Sequence, residues 1–406
     1  MSVTAVTRPP SRATLLVLSF GHGCSDLCSS ATSALLPFLV VERHYTYAAV
    51  GVFVLAASVG GALLQPLIGH YGDRTGALWL MPAGLVVGGL GIGVVGLVNN
   101  RTFALFAVAV CSIGVAAYHP EGARWARRAA GSAATTGMSI FSVGGGAGFA
   151  LGPLLVAAAV VPLGLRGTAV ITLLPLAAAA SVVYQVRRFR GREADHSLAE
   201  RAQREQRAEE WWPFARLALM YGVQSGVVAG LYAYVPLYLV SRGTSPGSSN
   251  TMSTVLLVAA AVGTLLGGRA ADRIGRRVVL VAPQLVLVPL IAVTPSLGFL
   301  VLMPAVIVIG LAMNANVSVA IVLAQEYLPG RLGLASGLTV GMSVGMGGLV
   351  AALLGLLGDA TSPATVLYLV AALPALVAAL AFSLPQPAAA LPESIWSRAL
   401  REAFGR

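Results

Sequence analysis

The chain has 406 residues, of which 57% are hydrophobic and only 10% charged, and its mean hydropathy is +0.83. This excludes an ordinary soluble enzyme, whose charged share is about a quarter, because the apolar surplus is too large for one water-surrounded core. The formal net charge of +11 comes from 26 arginines and no lysine against 15 acids. In a soluble protein that balance would point to nucleic acid; here its distribution explains it otherwise.

The first dozen residues are polar and carry Arg8 and Arg12. They look like the start of a secretory signal, but the apolar run behind them is too long and many more follow, so it reads as an uncleaved first span. Apolar runs, each long enough for the roughly 20 residues a membrane helix needs, recur at 13–41, 47–70, 77–98, 102–123, 134–161 and 167–187. A second set follows at 214–240, 251–271, 278–297, 299–325, 333–357 and 364–385. The expected fold class is therefore an all-α membrane protein with twelve transmembrane helices in two six-helix bundles. Residues 1–186 form the first bundle, 187–216 a cytoplasmic linker, 217–386 the second bundle and 387–406 a tail.

The linker holds eight arginines and six acids, which argues for a solvated helix or strap, and Trp211 with Trp212 suits an interface anchor. In the tail, Trp396, Leu400 and Phe404 recur every fourth residue beside Arg398 and Arg401, the pattern of a short amphipathic helix on the inner leaflet. With the N-terminus inside, 22 arginines fall on inner segments and four (Arg43, Arg101, Arg166 and Arg242) on outer ones. That bias places both termini in the cytoplasm, and no nucleic-acid partner is needed. An arginine-only basic set with abundant Ala, Gly and Val matches a high-GC bacterial genome, so the expected location is a bacterial inner membrane. Cys24, Cys28 and Cys111 all lie in apolar runs and read as small buried thiols rather than a disulfide framework or metal site.

The two halves repeat. Gly69-His-Tyr-Gly-Asp73-Arg74-Thr-Gly76 follows the second span, and Gly268-Arg-Ala-Ala-Asp272-Arg273-Ile-Gly275 follows the eighth. The same turn at the same place in each half marks an internal duplication. Glycine permits the tight turn, and the Asp-Arg pairs are expected to bridge neighbouring helix ends.

Twelve spans, a charged linker and these paired loops resemble the major facilitator superfamily. Within it, the runs Tyr118-His-Pro-Glu-Gly-Ala-Arg124, Ser139-Ile-Phe-Ser-Val-Gly-Gly-Gly-Ala-Gly148, Gln325-Glu-Tyr-Leu-Pro-Gly-Arg331 and Gly341-Met-Ser-Val-Gly-Met-Gly-Gly348 resemble the fosmidomycin resistance protein family, over essentially the whole chain. The resemblance implies a proton-driven exporter alternating between inward and outward access, acting as a monomer on a small anionic compound such as fosmidomycin, without a cofactor or metal.

Proton coupling needs an ionisable group away from bulk water, and such groups are rare inside spans because they cost about 2.5–3.5 kcal/mol on insertion scales. Asp26, near the middle of the first span, is the foremost candidate, with His22 one turn before it on the same helix face; the resemblance matches both to the family's His and Asp. Glu121 in the fourth span is a further proton-site candidate. With His119 and Arg124 it also reads as a cytoplasmic gate or anion-entry site, or equally as a structural ion pair locking helix ends. Glu326 closes the tenth span.

Gly144, Gly148 and Gly152-Pro153 space small residues every fourth position in the fifth span, allowing close helix packing. The resemblance to superfamily antiporters implies a pivot and seal between the halves. Gln65, Phe141, Gln224, Tyr232, Tyr234, Asn314 and Asn316 are candidate cavity-lining residues, with Gln65, Gln224 and Asn314 foremost because a polar amide among apolar neighbours needs a partner. Two other readings stay open at this level: export of neutral or amphiphilic drugs or sugars, and a membrane receptor that does not transport. An enzyme is disfavoured, since no phosphate-cradling loop, metal-ligand spacing or triad is present.

Overall fold

The computed structural model describes residues 11–45, 49, 52–53, 56–57, 63–131, 133–193, 208–244 and 246–385. Much of the expected second span, the middle of the linker and the expected amphipathic tail lie outside the described residues. Those described are helical apart from turns and short connections. α1 spans Arg12–Arg43, α2 Gln65–Thr75, α3 Leu80–Val95, α4 Arg101–Ala129, α5 Ala134–Leu163 and α6 Leu173–Glu193. α7 covers Trp211–Ser241, α8 Pro246–Ile274, α9 Arg276–Val293, α10 Phe299–Met313, α11 Val317–Tyr327, α12 Leu332–Ala360 and α13 Pro363–Ser383.

Among the described residues, eight helical stretches are long and apolar enough to cross a membrane, one of them the continuous Ala134–Arg188 stretch that takes in α5 and most of α6, while α3 is a shorter apolar helix. Large side chains such as Phe103, Phe106, Leu154, Trp212 and Phe382 are exposed. In water that many exposed apolar groups would drive association; against lipid tails they are in a matching solvent.

The chain divides into two compact units. The first comprises residues 1–132, 140–209 and 328–341, and the second 133–139, 210–327 and 342–406. The first turns of α5 thus belong to the second unit and those of α12 to the first. The first unit is packed around Leu27, Leu35, Ile92, Val108, Val156 and Ile171. The second is packed around Leu231, Leu256, Leu287, Val306, Leu354 and Val370.

The repeated loops have the same local build. Gly76 (φ 64°) and Gly275 (φ 99°) both adopt the left-handed region, which turns the chain between helices at little cost only for glycine. Within the first unit, the Asp73 carboxylate accepts from the N–H groups of Gly333 and Leu334, both at 2.8 Å, at the start of α12. Within the second, Asp272 accepts from Thr135 at 3.3 Å and Thr136 at 2.8 Å, at the start of α5. Each aspartate satisfies amide donors that a helix start leaves without intrahelical partners. Burial pushes the Asp73 carboxyl above the usual carboxylate range, with the two backbone N–H groups and Arg124 pulling the other way. Arg74 and Arg273 are exposed; the aspartate of each pair joins the helix ends through the main chain.

The expected tenth span is two helices. α10 ends at Met313 and α11 starts at Val317, with a turn over 314–316. Asn314 and Asn316 flank the turn; asparagine competes with helix through its own amide and favours turns.

Candidate functional site

In the first unit α1 carries His22 and Asp26 one turn apart, and α4 brings His119 to them. His119 Nε2 lies 2.8 Å from Asp26 Oδ1, and His22 Nε2 lies 3.5 Å from Asp26 Oδ2. The other nitrogens are committed. His22 Nδ1 is 2.8 Å from the carbonyl of Phe141, and His119 Nδ1 is 2.8 Å from the carbonyl of Val115. A carbonyl only accepts, so both Nδ1 atoms carry hydrogen and a neutral ring has a bare Nε2. Two bare nitrogens facing a carboxylate would set lone pair against lone pair. The 2.8 Å contact is a hydrogen bond only with a proton between His119 and Asp26.

Packing fixes the rings. Phe141 stacks on His22 with centroids 4.1 Å apart, and the two histidines meet edge to face at 4.9 Å. A Cβ at Gly145 would stand 2.5 Å from Asp26 Oδ2 and 2.6 Å from His22, so the glycine makes room for the cluster. Asp26 keeps 21% of its side-chain surface exposed, against 11% for His22 and 9% for His119; the carboxylate is the open member. The three ligand atoms lie within 4.8 Å of one another, a donor set that would also suit a metal ion. Two ligands 2.0–2.1 Å from a tetrahedral zinc, however, stand about 3.3 Å apart. The 2.8 Å His119–Asp26 contact is too short for that and fits a shared proton.

Glu121 and Arg124 form a separate pair one turn further along α4. Arg124 Nη2 donates to Glu121 Oε2 at 2.6 Å and Nη1 to the Gly72 carbonyl at 2.9 Å, 3.9 Å from Asp73. Both side chains are buried. The expected gate of His119, Glu121 and Arg124 therefore separates into two: His119 belongs with Asp26, while Arg124, paired with Glu121, holds Gly72 and Asp73 in the last turn of α2. Positions two apart on a helix do not share a face, and Asp26, 93 residues earlier in the chain, claims the histidine.

The glycine stripe seats α1. Cβ atoms at Gly144, Gly148 and Gly152 would stand 2.0 Å from the Ser19 carbonyl, 1.8 Å from the Gly23 carbonyl and 1.9 Å from Ser30 Oγ. Those contacts lie inside the first unit, and Pro153 continues within α5.

The candidate cavity residues fall in both units. Gln65 is buried beside the backbone of Gly337, and Phe141 is buried against His22. Gln224 Nε2 donates to the Met313 carbonyl at 2.5 Å, and Tyr234 OH to the Leu354 carbonyl at 2.7 Å. Asn314 sits in the turn between α10 and α11, its carbonyl 3.4 Å from the Thr264 hydroxyl. Glu326 pairs with Arg276 at a helix end. Sequence reading passed over Ser318 and Gln284, both fully buried with side-chain polar atoms lacking a partner; in the sequence each is one polar residue in an apolar run.

The chain matches the family model described as Major Facilitator Superfamily over residues 18–249 and 217–404. It is 32% identical over 369 residues to the fosmidomycin resistance protein of Escherichia coli (strain K12), covering 88% of this chain and 89% of that protein. To the Uncharacterized MFS-type transporter YfnC of Bacillus subtilis (strain 168) it is 30% identical over 385 residues, covering 91% and 92%. Among solved structures, FucP in the outward conformation superposes with a TM-score of 0.72 at 16% identity, over 92% of this chain and all of that one; at that identity the likeness concerns the fold.

Proposed function

Because this chain belongs to the major facilitator superfamily of membrane transporters, and so is a carrier rather than an enzyme, we propose that it is a proton-coupled exporter of a small anionic compound, with fosmidomycin the substrate to test first. The substrate class rests on the 32% identity to the fosmidomycin resistance protein over most of both chains. The proton coupling rests on one observation: the Asp26 carboxylate, the most open of the three groups, faces the Nε2 atoms of His22 and His119, whose Nδ1 atoms are committed to main-chain carbonyls. Such a cluster holds one proton well and presents it where the carboxylate is reachable. Inward movement of a proton would pass through it, alternating with outward movement of an anion.

In this reading the protein is a monomer of twelve spans in a bacterial inner membrane, with both termini in the cytoplasm. The aspartate caps at Asp73 and Asp272 hold one access state and release in the other, and the Glu121–Arg124 pair keeps the Asp73 loop in register. The test is proton movement in liposomes holding the purified protein, read with an internal pH dye as fosmidomycin is added. A substrate-dependent flux that disappears in Asp26→Asn supports antiport and its site. No flux from folded protein overturns this reading and turns attention to neutral or amphiphilic substrates.

A further inference from the structure

The break between α10 and α11 lies deep in the second unit. α11 has 11 residues, which puts its start about 16 Å from its far end, near the middle of a membrane. Non-helical backbone at such depth persists where it is enclosed by protein or lines a polar site. The acceptor side of this break is provided for. The Met313 carbonyl receives Gln224 Nε2 at 2.5 Å, and the Asn314 carbonyl receives the N–H of Val317 at 3.3 Å, with the Thr264 hydroxyl 3.4 Å away.

The donor side is not. The N–H groups of Ser318 and Val319, in the first turn of α11, have no intrahelical carbonyl to reach. The Asn316 carbonyl instead serves Ala320 at 2.9 Å. Asn316 immediately precedes α11, and an asparagine there ordinarily spends its side chain on those amides. Here both its Oδ1 and Nδ2 lack a partner, as does Ser318 Oγ, and both residues are 0% exposed. Gln224, held against the same break, leaves its Oε1 unpaired, and Gln284 on α9, a helix packed against α11, leaves both amide atoms unpaired. The acidic side chains described in this unit, Glu210, Asp272 and Glu326, all stand at helix ends, so none supplies the missing acceptor.

A helix start with buried, unused donors selects an oxyanion, and the unpaired amide oxygens beside it need a hydroxyl. We propose that this break binds the acid head of the exported compound, a phosphonate-type group. Its ionised oxygens would accept from the Ser318 and Val319 N–H groups, Ser318 Oγ and Asn316 Nδ2. Its remaining acid hydroxyl would donate to the amide oxygen of Gln224 or Asn316. The proposal rests on the export reading and names a subsite for it in the second unit, whereas the Asp26 cluster belongs to the first. Because Asn316 and Ser318 are fully buried, a ligand reaches them only when the surrounding helices part, so occupancy and access are linked.

The experiment is calorimetric titration of the full-length protein in detergent with fosmidomycin and, separately, with methylphosphonate as the bare acid head. Wild type is compared with Asn316→Ala and Ser318→Ala, and thermal unfolding of each variant checks its fold. At least tenfold weaker fosmidomycin binding in both variants, with methylphosphonate competing in wild type alone, is expected. Should Asn316→Ala fail to fold, Ser318→Ala decides, since alanine is well tolerated in a helix. Fosmidomycin binding unchanged in the variants overturns the subsite and leaves the export reading standing. Methylphosphonate binding that the variants lose, without fosmidomycin binding in wild type, supports the subsite and removes fosmidomycin as the substrate. Binding of neither compound by folded wild type overturns both.

Discussion

A carboxylate between two imidazoles, each with its far nitrogen committed to a carbonyl, can hold a mobile proton and has one open side. Asp26→Asn keeps the shape and a hydrogen-bonding side chain but cannot alternate between charged and neutral. It is expected to abolish uphill export while the protein stays folded in the membrane; undiminished accumulation against a gradient would remove Asp26 from the mechanism. The glycines of α5 give a second residue-scale prediction with its own control. A Cβ at Gly148 would stand 1.8 Å from the Gly23 carbonyl, whereas at Gly146 nothing lies within 4 Å. Gly148→Ala should therefore destabilise by about 1–3 kcal/mol through overpacking, and Gly146→Ala should be neutral or stabilise by up to about 1 kcal/mol. Thermal unfolding in detergent separates them, and equal effects would refute the packing argument. Of this cluster, the His22–Asp26 pair was legible in the sequence because helical spacing alone puts both on one face. His119 was not, because nothing local says which face of α4 meets α1.

At the scale of elements, the two repeated loops behave as interchangeable parts: a glycine of close approach, an aspartate that caps a helix start, and a glycine in the left-handed region. The duplication was visible as a repeat, but the role of its charged pair was not. Aspartate and arginine adjacent in sequence suggest an ion pair, yet a helix start offers amide donors in a fixed geometry that only the shorter, acidic partner can use. Asp73→Ala and Asp272→Ala should each cost about 0.5–2 kcal/mol, the usual worth of an N-cap, while Arg74→Ala, at an exposed position, should change stability little. Denaturation midpoints of the three variants test this; an arginine effect as large as the aspartate's would restore the salt-bridge explanation. The broken tenth span shows the same limit. The apolar span ran on across Asn314-Ala-Asn316; the two asparagines hint at a turn, but the hydrogen-bonding of the folded chain shows where the helix stops.

For the whole molecule, the arginine distribution predicts sidedness. Single cysteines placed in the 387–406 tail and the 187–216 linker, in a background with Cys24, Cys28 and Cys111 replaced, should react with a membrane-impermeant thiol reagent only from the cytoplasmic face. Labelling from outside would overturn the assigned orientation. One charge moved through ~100 mV supplies about 2.3 kcal/mol, and at about 1.4 kcal/mol per decade that sustains roughly a fifty-fold gradient. Collapsing the proton gradient together with the membrane potential should bring internal and external substrate toward equality, since the potential alone still drives an anion out. Membrane residence and the family resemblance were determined by the sequence itself, because hydropathy, charge bias and repeated motifs are properties of order along the chain and survive without coordinates. Which histidine serves Asp26, which helix the glycines seat and where donors stand unused at the α11 start were decided by the tertiary structure alone. Each depends on groups tens to hundreds of residues apart meeting at hydrogen-bond distance, and pairing at that range is settled by packing.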